Sequence, residues 1–140
     1  MRLLTPALRA ALLVLGTAAA QAQAGEPRWS AFDGLPNSAL RFDARSLEVD
    51  GDRGTVTAWV RRDRSPPDTT AGGVTYDRLL LRYRFECRRR LVKTLHLQAY
   101  MGSQPVSRPA PGVIGRVRAV VPDTVAERMW LQFCEESHEE

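Results

Sequence analysis

Apolar and polar residues alternate through the middle of the chain, and a period of two is typical of β-strands with one buried face. The clearest example covers residues 76–88. Its apolar face holds Leu79, Leu81, Tyr83, Phe85 and Cys87. Its other face holds Arg78, Leu80, Arg82, Arg84, Glu86 and Arg88. The pattern predicts a strand that packs one face into a core and presents an arginine-rich face to water.

A hairpin is predicted just before this strand. Residues 50–54 (Asp-Gly-Asp-Arg-Gly) separate two β-prone runs, residues 47–49 and 55–61. Asp-Gly between such runs is a strong turn signal. The aliphatic residues of the second run are Val56, Ala58 and Val60. We expect them to face the core, with Trp59 on the opposite face of the sheet.

Three further segments extend the β-rich region. Residues 65–73 are rich in Pro, Thr and Gly, a composition that predicts a mobile loop. Residues 91–100 predict a strand with an apolar face formed by Leu91, Leu95, Leu97 and Ala99. After a proline-rich passage, residues 116–121 predict a short strand.

The periodicity changes near the C-terminus, where it predicts an amphipathic helix. Thr124 and Glu127 fit a capping box, in which a hydroxyl and a carboxylate satisfy free amide groups at a helix start. At about 100° per residue, one half of the helix surface is apolar. That half holds Val125, Ala126, Met129, Trp130, Phe133 and Cys134. We expect this half to pack on the sheet.

Residues 1–24 have the composition of a secretory signal peptide. Two arginines precede an apolar run at residues 10–20, and Ala-Gln-Ala at 22–24 supplies the small residues that signal peptidase reads. We expect cleavage before Gly25. The apolar run is too short for a membrane anchor, which needs about 20 residues, and no cysteine lies near the cut. The chain is therefore expected to be exported, periplasmic or secreted, with no lipid anchor and no transmembrane segment.

Removing the leader leaves residues 25–140, a length typical of one domain. The leader carries two of the 20 basic residues and none of the 16 acidic ones, so the formal net charge falls from +4 to +2. A balanced charge and export both argue against a nucleic-acid partner.

Cys87 and Cys134 are the two cysteines of the chain. In an exported domain such a pair is typical of a disulfide. The strand pattern and the helix pattern each place one thiol at the contact between sheet and helix. The alternatives are a metal site or a reactive thiol. A metal site would need more ligands, and His96 and His138 are not at a metal-like spacing.

Several short motifs, in this order and spacing, resemble those of the surface-adhesin protein E family. They are Phe42-Asp43-Ala44-Arg45-Ser46-Leu47, Asp50-Gly51, Val56-Thr57-Ala58-Trp59-Val60, Cys87 with its basic turn, Tyr100 with Gly102, Val121-Pro122, Ala126-Glu127 and Cys134. The chain departs from the family at Asp123, where a small residue such as Gly is expected.

The resemblance implies an α+β fold for residues 25–140. This fold is a single antiparallel sheet of about five to six strands, with a C-terminal α-helix packed on it and tied to it by the Cys87–Cys134 disulfide. The resemblance also implies a bacterial envelope protein and, from the family's name, adhesion to host matrix proteins. It carries over no catalytic residue.

One cluster of residues is a candidate binding face. It consists of Arg82, Arg84, Arg88, Arg89 and Arg90. The functional interpretation is a docking surface for acidic proteins, heparin-like polymers or lipid headgroups. The alternative is a solvated sheet face neutralised by Glu86 and neighbouring carboxylates, and it is the more common case. Trp59 and Trp130 are expected to serve packing rather than a binding shelf.

The sequence therefore predicts an exported binding protein of the bacterial envelope, with a protein partner that is either a host matrix protein or an envelope component. The alternative is a periplasmic structural or accessory module with no host-binding role. No nucleophile–base pair or carboxylate pair indicates an enzyme. No cofactor and no metal ion is predicted.

Overall fold

An antiparallel sheet organises the described residues of the computed structural model, which are 28–35, 39–107 and 112–135. Its strands are β1 (Trp29–Ala31), β2 (Leu40–Asp43), β3 (Glu48–Asp50), β4 (Thr55–Thr69), β5 (Thr75–Glu86), β6 (Leu91–Met101), β7 (Gln104–Ser107) and β8 (Val117–Ala119). Six strands follow the order β1-β2-β4-β5-β6-β7, while β3 pairs with β4 and β8 with β6. The predicted fold class is confirmed. The predicted signal peptide, residues 1–24, lies outside the described residues.

The hairpin of β4 and β5 is the centre of the sheet. Val56 pairs with Phe85, and Val60 pairs with Leu81. All four side chains are buried, because the period of two puts them on the same face of the sheet. The turn predicted at residues 50–54 joins β3 to β4. The faces predicted for β4 and β5 are therefore correct.

The loop predicted at residues 65–73 is shorter than expected, because β4 continues to Thr69. The pairing of β4 with β5 shifts register between Asp63 and Asp68. Pro66 and Pro67 lie in this irregular stretch, where a missing amide hydrogen breaks no regular ladder. Beyond it the Tyr76 hydroxyl donates a hydrogen bond of 3.2 Å to Asp68.

The apolar face predicted for β6 is wrong in its first half. Arg82 pairs with His96 and Tyr83 pairs with Thr94, so Leu95 is an extra residue at a bulge. A bulge reverses which residues face the core. Before it, Val92 and Thr94 are buried in place of the expected Leu91 and Leu95; after it, Leu97 and Ala99 face the core as predicted.

The C-terminal helix begins with α1 (Val125–Trp130) and continues as a π-helical turn, Leu131–Glu135. The Thr124 hydroxyl accepts a hydrogen bond of 3.3 Å from the amide of Glu127. The Glu127 carboxylate accepts one of 2.8 Å from the amide of Asp123, one residue earlier than a standard capping box requires. Asp123 has φ 60°, in a region that favours glycine and tolerates aspartate, which explains why a small residue was expected there.

Four phenylalanines join the helix to the sheet. The Phe133 ring centroid lies 5.5 Å from Phe32, 5.3 Å from Phe42 and 5.5 Å from Phe85. Next to Phe133, Cys134 forms a disulfide with Cys87. The apolar half of the helix thus packs as predicted, except that Val125 is 44% exposed at its first turn.

Asp43 anchors the N-terminal edge of the sheet. Its carboxylate accepts a hydrogen bond of 2.6 Å from Arg28 and one of 3.1 Å from the amide of Arg45. Burial raises the pKa of Asp43, but these hydrogen bonds, one from Ser46 and the charge of Arg28 together leave the pKa below its usual range. Asp43 is therefore held as a carboxylate at neutral pH.

We predict that Cys134→Ser lowers the free energy of unfolding by about 2–5 kcal/mol, because a disulfide restricts the unfolded chain. Chemical denaturation of the oxidised wild type and of the variant measures the difference. The C87S/C134S double variant and the reduced wild type are the controls, and both should lose a similar amount. Equal stability of oxidised wild type and Cys134→Ser would contradict the prediction.

We also predict that Phe85→Ala lowers the free energy of unfolding by about 3–5 kcal/mol, since it opens a cavity below the helix. Val49→Ala is the matched control, because Val49 is 58% exposed on β3, and its effect should stay within about 0.5 kcal/mol. If Phe85→Ala costs less than about 1 kcal/mol, the packing of Phe85 against Phe133 does not stabilise the fold.

Candidate functional site

The two faces of the sheet differ in what covers them. The helix packs on one face, which we call the helix side. The opposite face of β3 to β6, here the outer face, is covered by no helix among the described residues. Its central side chains are Thr57, Trp59, Arg61, Arg82, Arg84, Lys93 and His96. An open sheet face of this kind is where a partner can dock without displacing the core.

Arg82 is the most constrained arginine of the candidate face. One of its guanidinium nitrogens lies 2.8 Å from the Glu48 carboxylate. The guanidinium also lies 5.6 Å from the centre of the Trp59 ring, within the range of a cation–π contact. The His96 ring makes an edge contact with the Trp59 ring at 5.3 Å. Trp59 therefore lies outside the core, as part of a stacked group on the outer face.

Arg84 and Arg88 are less engaged. Arg84 donates a hydrogen bond of 3.4 Å to the buried hydroxyl of Thr57 and pairs across the sheet with Lys93. Arg88 is exposed, and its stem lies over Gly54, which has φ 65°. No ion pair with a described carboxylate is formed by Arg84, Arg88 or Lys93. Their positive charge is therefore available to a partner.

Each of the last two predicted arginines is paired with a carboxylate, and only Arg89 shares a depression of the outer face with Arg84 and Thr57. Arg89 forms an ion pair of 2.9 Å with Glu86, three residues earlier. Arg90 turns toward the helix, where it contacts Glu127 at 3.0 Å and lies 4.3 Å from the centre of the Trp130 ring. The structure thus separates the five arginines: Arg82, Arg84 and Arg89 lie on the outer face, Arg88 lies over the turn at Gly54, and Arg90 supports the helix.

Sequence reasoning missed other residues of the outer face. Arg61 lies 5.8 Å from the Trp29 ring and is bound at 2.9 Å to Asp63. Arg78 lies 4.8 Å from the Tyr100 ring. The alternation of side chains within β4 and β5 places both arginines on this face, so the sequence already indicated their position. Their aromatic partners come from β1 and β6, and only the strand order shows that they meet.

Guanidinium groups and aromatic rings dominate the chemistry of the outer face. No group of three or more His, Cys, Asp or Glu residues within 28–35, 39–107 and 112–135 is arranged to hold a metal ion. Among the same residues, no helix is long and apolar enough to cross a membrane. What the outer face offers is a set of guanidinium groups with aromatic rings, which suits carboxylate, sulfate or phosphate groups.

A known protein family resembles this chain in sequence and in fold. The family model of surface-adhesin protein E matches residues 29–135. The chain belongs to the surface-adhesin protein E family. None of the curated protein sequences matches it.

Solved members of this family share the fold. Crystal form II of Haemophilus influenzae protein E is 10% identical, with a TM-score of 0.61 over 80% of this chain and 91% of that one. Protein E from non-typeable Haemophilus influenzae is 11% identical, with a TM-score of 0.58 over 81% of this chain and 79% of that one. At such identities the likeness concerns the fold alone.

We predict different roles for the two neighbours Arg88 and Arg90. Arg90→Gln removes the contacts with Glu127 and Trp130, so we expect a loss of about 1 kcal/mol in the free energy of unfolding. Arg88→Gln is the matched control, with the same charge change and an expected effect within about 0.5 kcal/mol. Equal losses in thermal or chemical unfolding would show that Arg90 does not stabilise the helix.

Proposed function

We propose that this chain is an exported, non-enzymatic binding protein of the bacterial cell envelope, adhesin-like, with a protein partner. The observation that carries the proposal is membership of the surface-adhesin family across residues 29–135. The N-terminal residues 1–24 serve as a cleaved signal peptide in this proposal, because of their charge, apolar run and Ala-Gln-Ala site.

The proposed contact surface is the outer face with the adjoining turn at Gly54, centred on Arg82, Arg84 and Arg88. Arg84 and Arg88 form no ion pair with a carboxylate among the described residues, and Arg82 is paired with Glu48, which is exposed. Guanidinium groups bind carboxylates bidentately, so an acidic protein surface is the matching partner. The open sheet would give such a partner a rigid platform, with no rearrangement of the core.

The first test measures electrostatic binding of the chain to a polyanion. The R82Q/R84Q/R88Q variant should elute from a heparin column at a lower salt concentration than wild type, because exposed charges are screened over about 10 Å at 0.1 M salt. Its free energy of unfolding should fall by only about 1 kcal/mol, because Arg82 loses its contacts with Glu48 and Trp59, while the exposed Arg84 and Arg88 contribute little.

The matched control is R45Q/R116Q/R128Q, which removes three exposed arginines outside the outer face. It has the same net charge as the first variant and should elute close to wild type. Equal elution of both triple variants would show that retention follows net charge alone, and the outer face would then not be the contact surface.

The second test concerns location and partner. Protease added to intact cells should cut the chain if it is displayed outside, whereas a periplasmic module would be spared until the outer membrane is opened. A pull-down from envelope extract and from host matrix proteins, with wild type and R82Q/R84Q/R88Q in parallel, identifies the partner. A partner retained equally by both proteins would contradict the assignment of the outer face.

A further inference from the structure

A cleft lies on the helix side, where α1 is too short to cover the whole sheet. Its volume is about 660 Å³, within the range of roughly 300–1,000 Å³ found for small-molecule sites. Tyr83 and Val92 line it from the sheet, and Ala126 and Met129 line it from the helix. At its mouth Val121 is 54% exposed. More than half of the side chains that line the cleft are apolar.

Two arginines meet at one point of this cleft. Arg62 and Arg118 both line the cleft beside Tyr83, and the positive charge of each acts on the Tyr83 hydroxyl. Burial raises the pKa of Tyr83, and the two arginines oppose that rise. Neither arginine forms an ion pair with a described carboxylate. The guanidinium groups of Arg62 and Arg118 therefore give the cleft a positively charged region next to its apolar side chains.

The direction of the cleft indicates what can occupy it. Its lining comes from β4, β5, β6 and β8 in turn, so it crosses the strands and does not follow an open edge. An extended peptide lying there could not pair its backbone amides with a strand, and unpaired amides are costly to bury. A hydrocarbon chain has no such groups, and it needs only the apolar walls.

We propose that this cleft binds a linear carboxylate amphiphile, a free fatty acid, with its head group between Arg62 and Arg118 and its chain against Val92, Ala126 and Met129. The guanidinium groups supply charge-assisted hydrogen bonds to the carboxylate. The apolar lining removes the chain from water. This site is separate from the outer face, so neither proposal depends on the other.

Titration of the exported chain, residues 25–140, with decanoate below its micelle concentration tests the proposal. Methyl NMR signals of Met129 and Ala126 should shift on addition of decanoate, while that of the exposed Val49 on β3 should not. The R62Q/R118Q variant should bind decanoate about tenfold more weakly, equivalent to about 1.4 kcal/mol. Decanol, which lacks the carboxylate, should bind wild type and variant equally, and more weakly than decanoate binds wild type.

R45Q/R53Q is the charge-matched control, since both arginines are exposed and line no part of the cleft. It should bind decanoate like wild type. If R62Q/R118Q fails to fold, Val125→Glu gives the same readout, because it adds a negative charge at the exposed mouth of the cleft and should also weaken decanoate binding.

Three results would overturn the proposal. One is the absence of shifts at Met129 and Ala126. Another is equal affinity of wild type for decanoate and decanol, which would leave the arginines without a role. The third is concentration-dependent association in sedimentation experiments, with decanoate unable to disperse it and the same methyl signals broadened, which would assign the cleft to contact between two copies of the chain.

Discussion

Burial of Phe133 and Cys134 against the sheet holds the C-terminal helix in place. Because of that contact, one face of the sheet is covered by the helix and the other face is open. α1 spans only six residues, and isolated helices shorter than about 12–15 residues are marginal in water. The Phe133 ring packs on Phe85, and the disulfide fixes the next residue to Cys87. A bridge across a separation of 47 residues contributes about 4 kcal/mol in the chain-entropy account. A small domain has only about 5–15 kcal/mol in total.

One short helix on a long sheet has two consequences. The outer face has no covering layer among the described residues, so its arginines meet water and aromatic rings. The helix side is only partly covered, which leaves the cleft lined by Tyr83 and Met129. The two surfaces differ in chemistry: the outer face is rich in charge, whereas the cleft has mainly apolar side chains with two arginines among them. A partner protein and a small amphiphile could therefore use the same chain without competition.

The period of two was sufficient to assign the faces of β4 and β5, because both strands are regular from Thr55 to Asp63 and from Arg78 to Glu86. It failed in β6, where a single extra residue, Leu95, reverses the alternation. Nothing in the local sequence marks that bulge. The continuation of β4 to Thr69 was also missed. Residues 65–73 have a composition typical of a turn, but pairing with β5 keeps the first part of this segment extended, and composition alone does not reveal that pairing.

The sequence by itself determined the faces of β4 and β5, the start of the helix, the family and the pairing of Cys87 with Cys134, because each depends on local periodicity or on residue identity. The tertiary structure decided which of the neighbouring arginines share a surface. Arg90 has a left-handed backbone, with φ 50°, in the turn after β5, and its guanidinium lies over the Trp130 ring. The meeting of Arg62 and Arg118 at Tyr83 likewise joins three strands. Such contacts follow from strand order and register, and these depend on long-range pairing that no local pattern specifies.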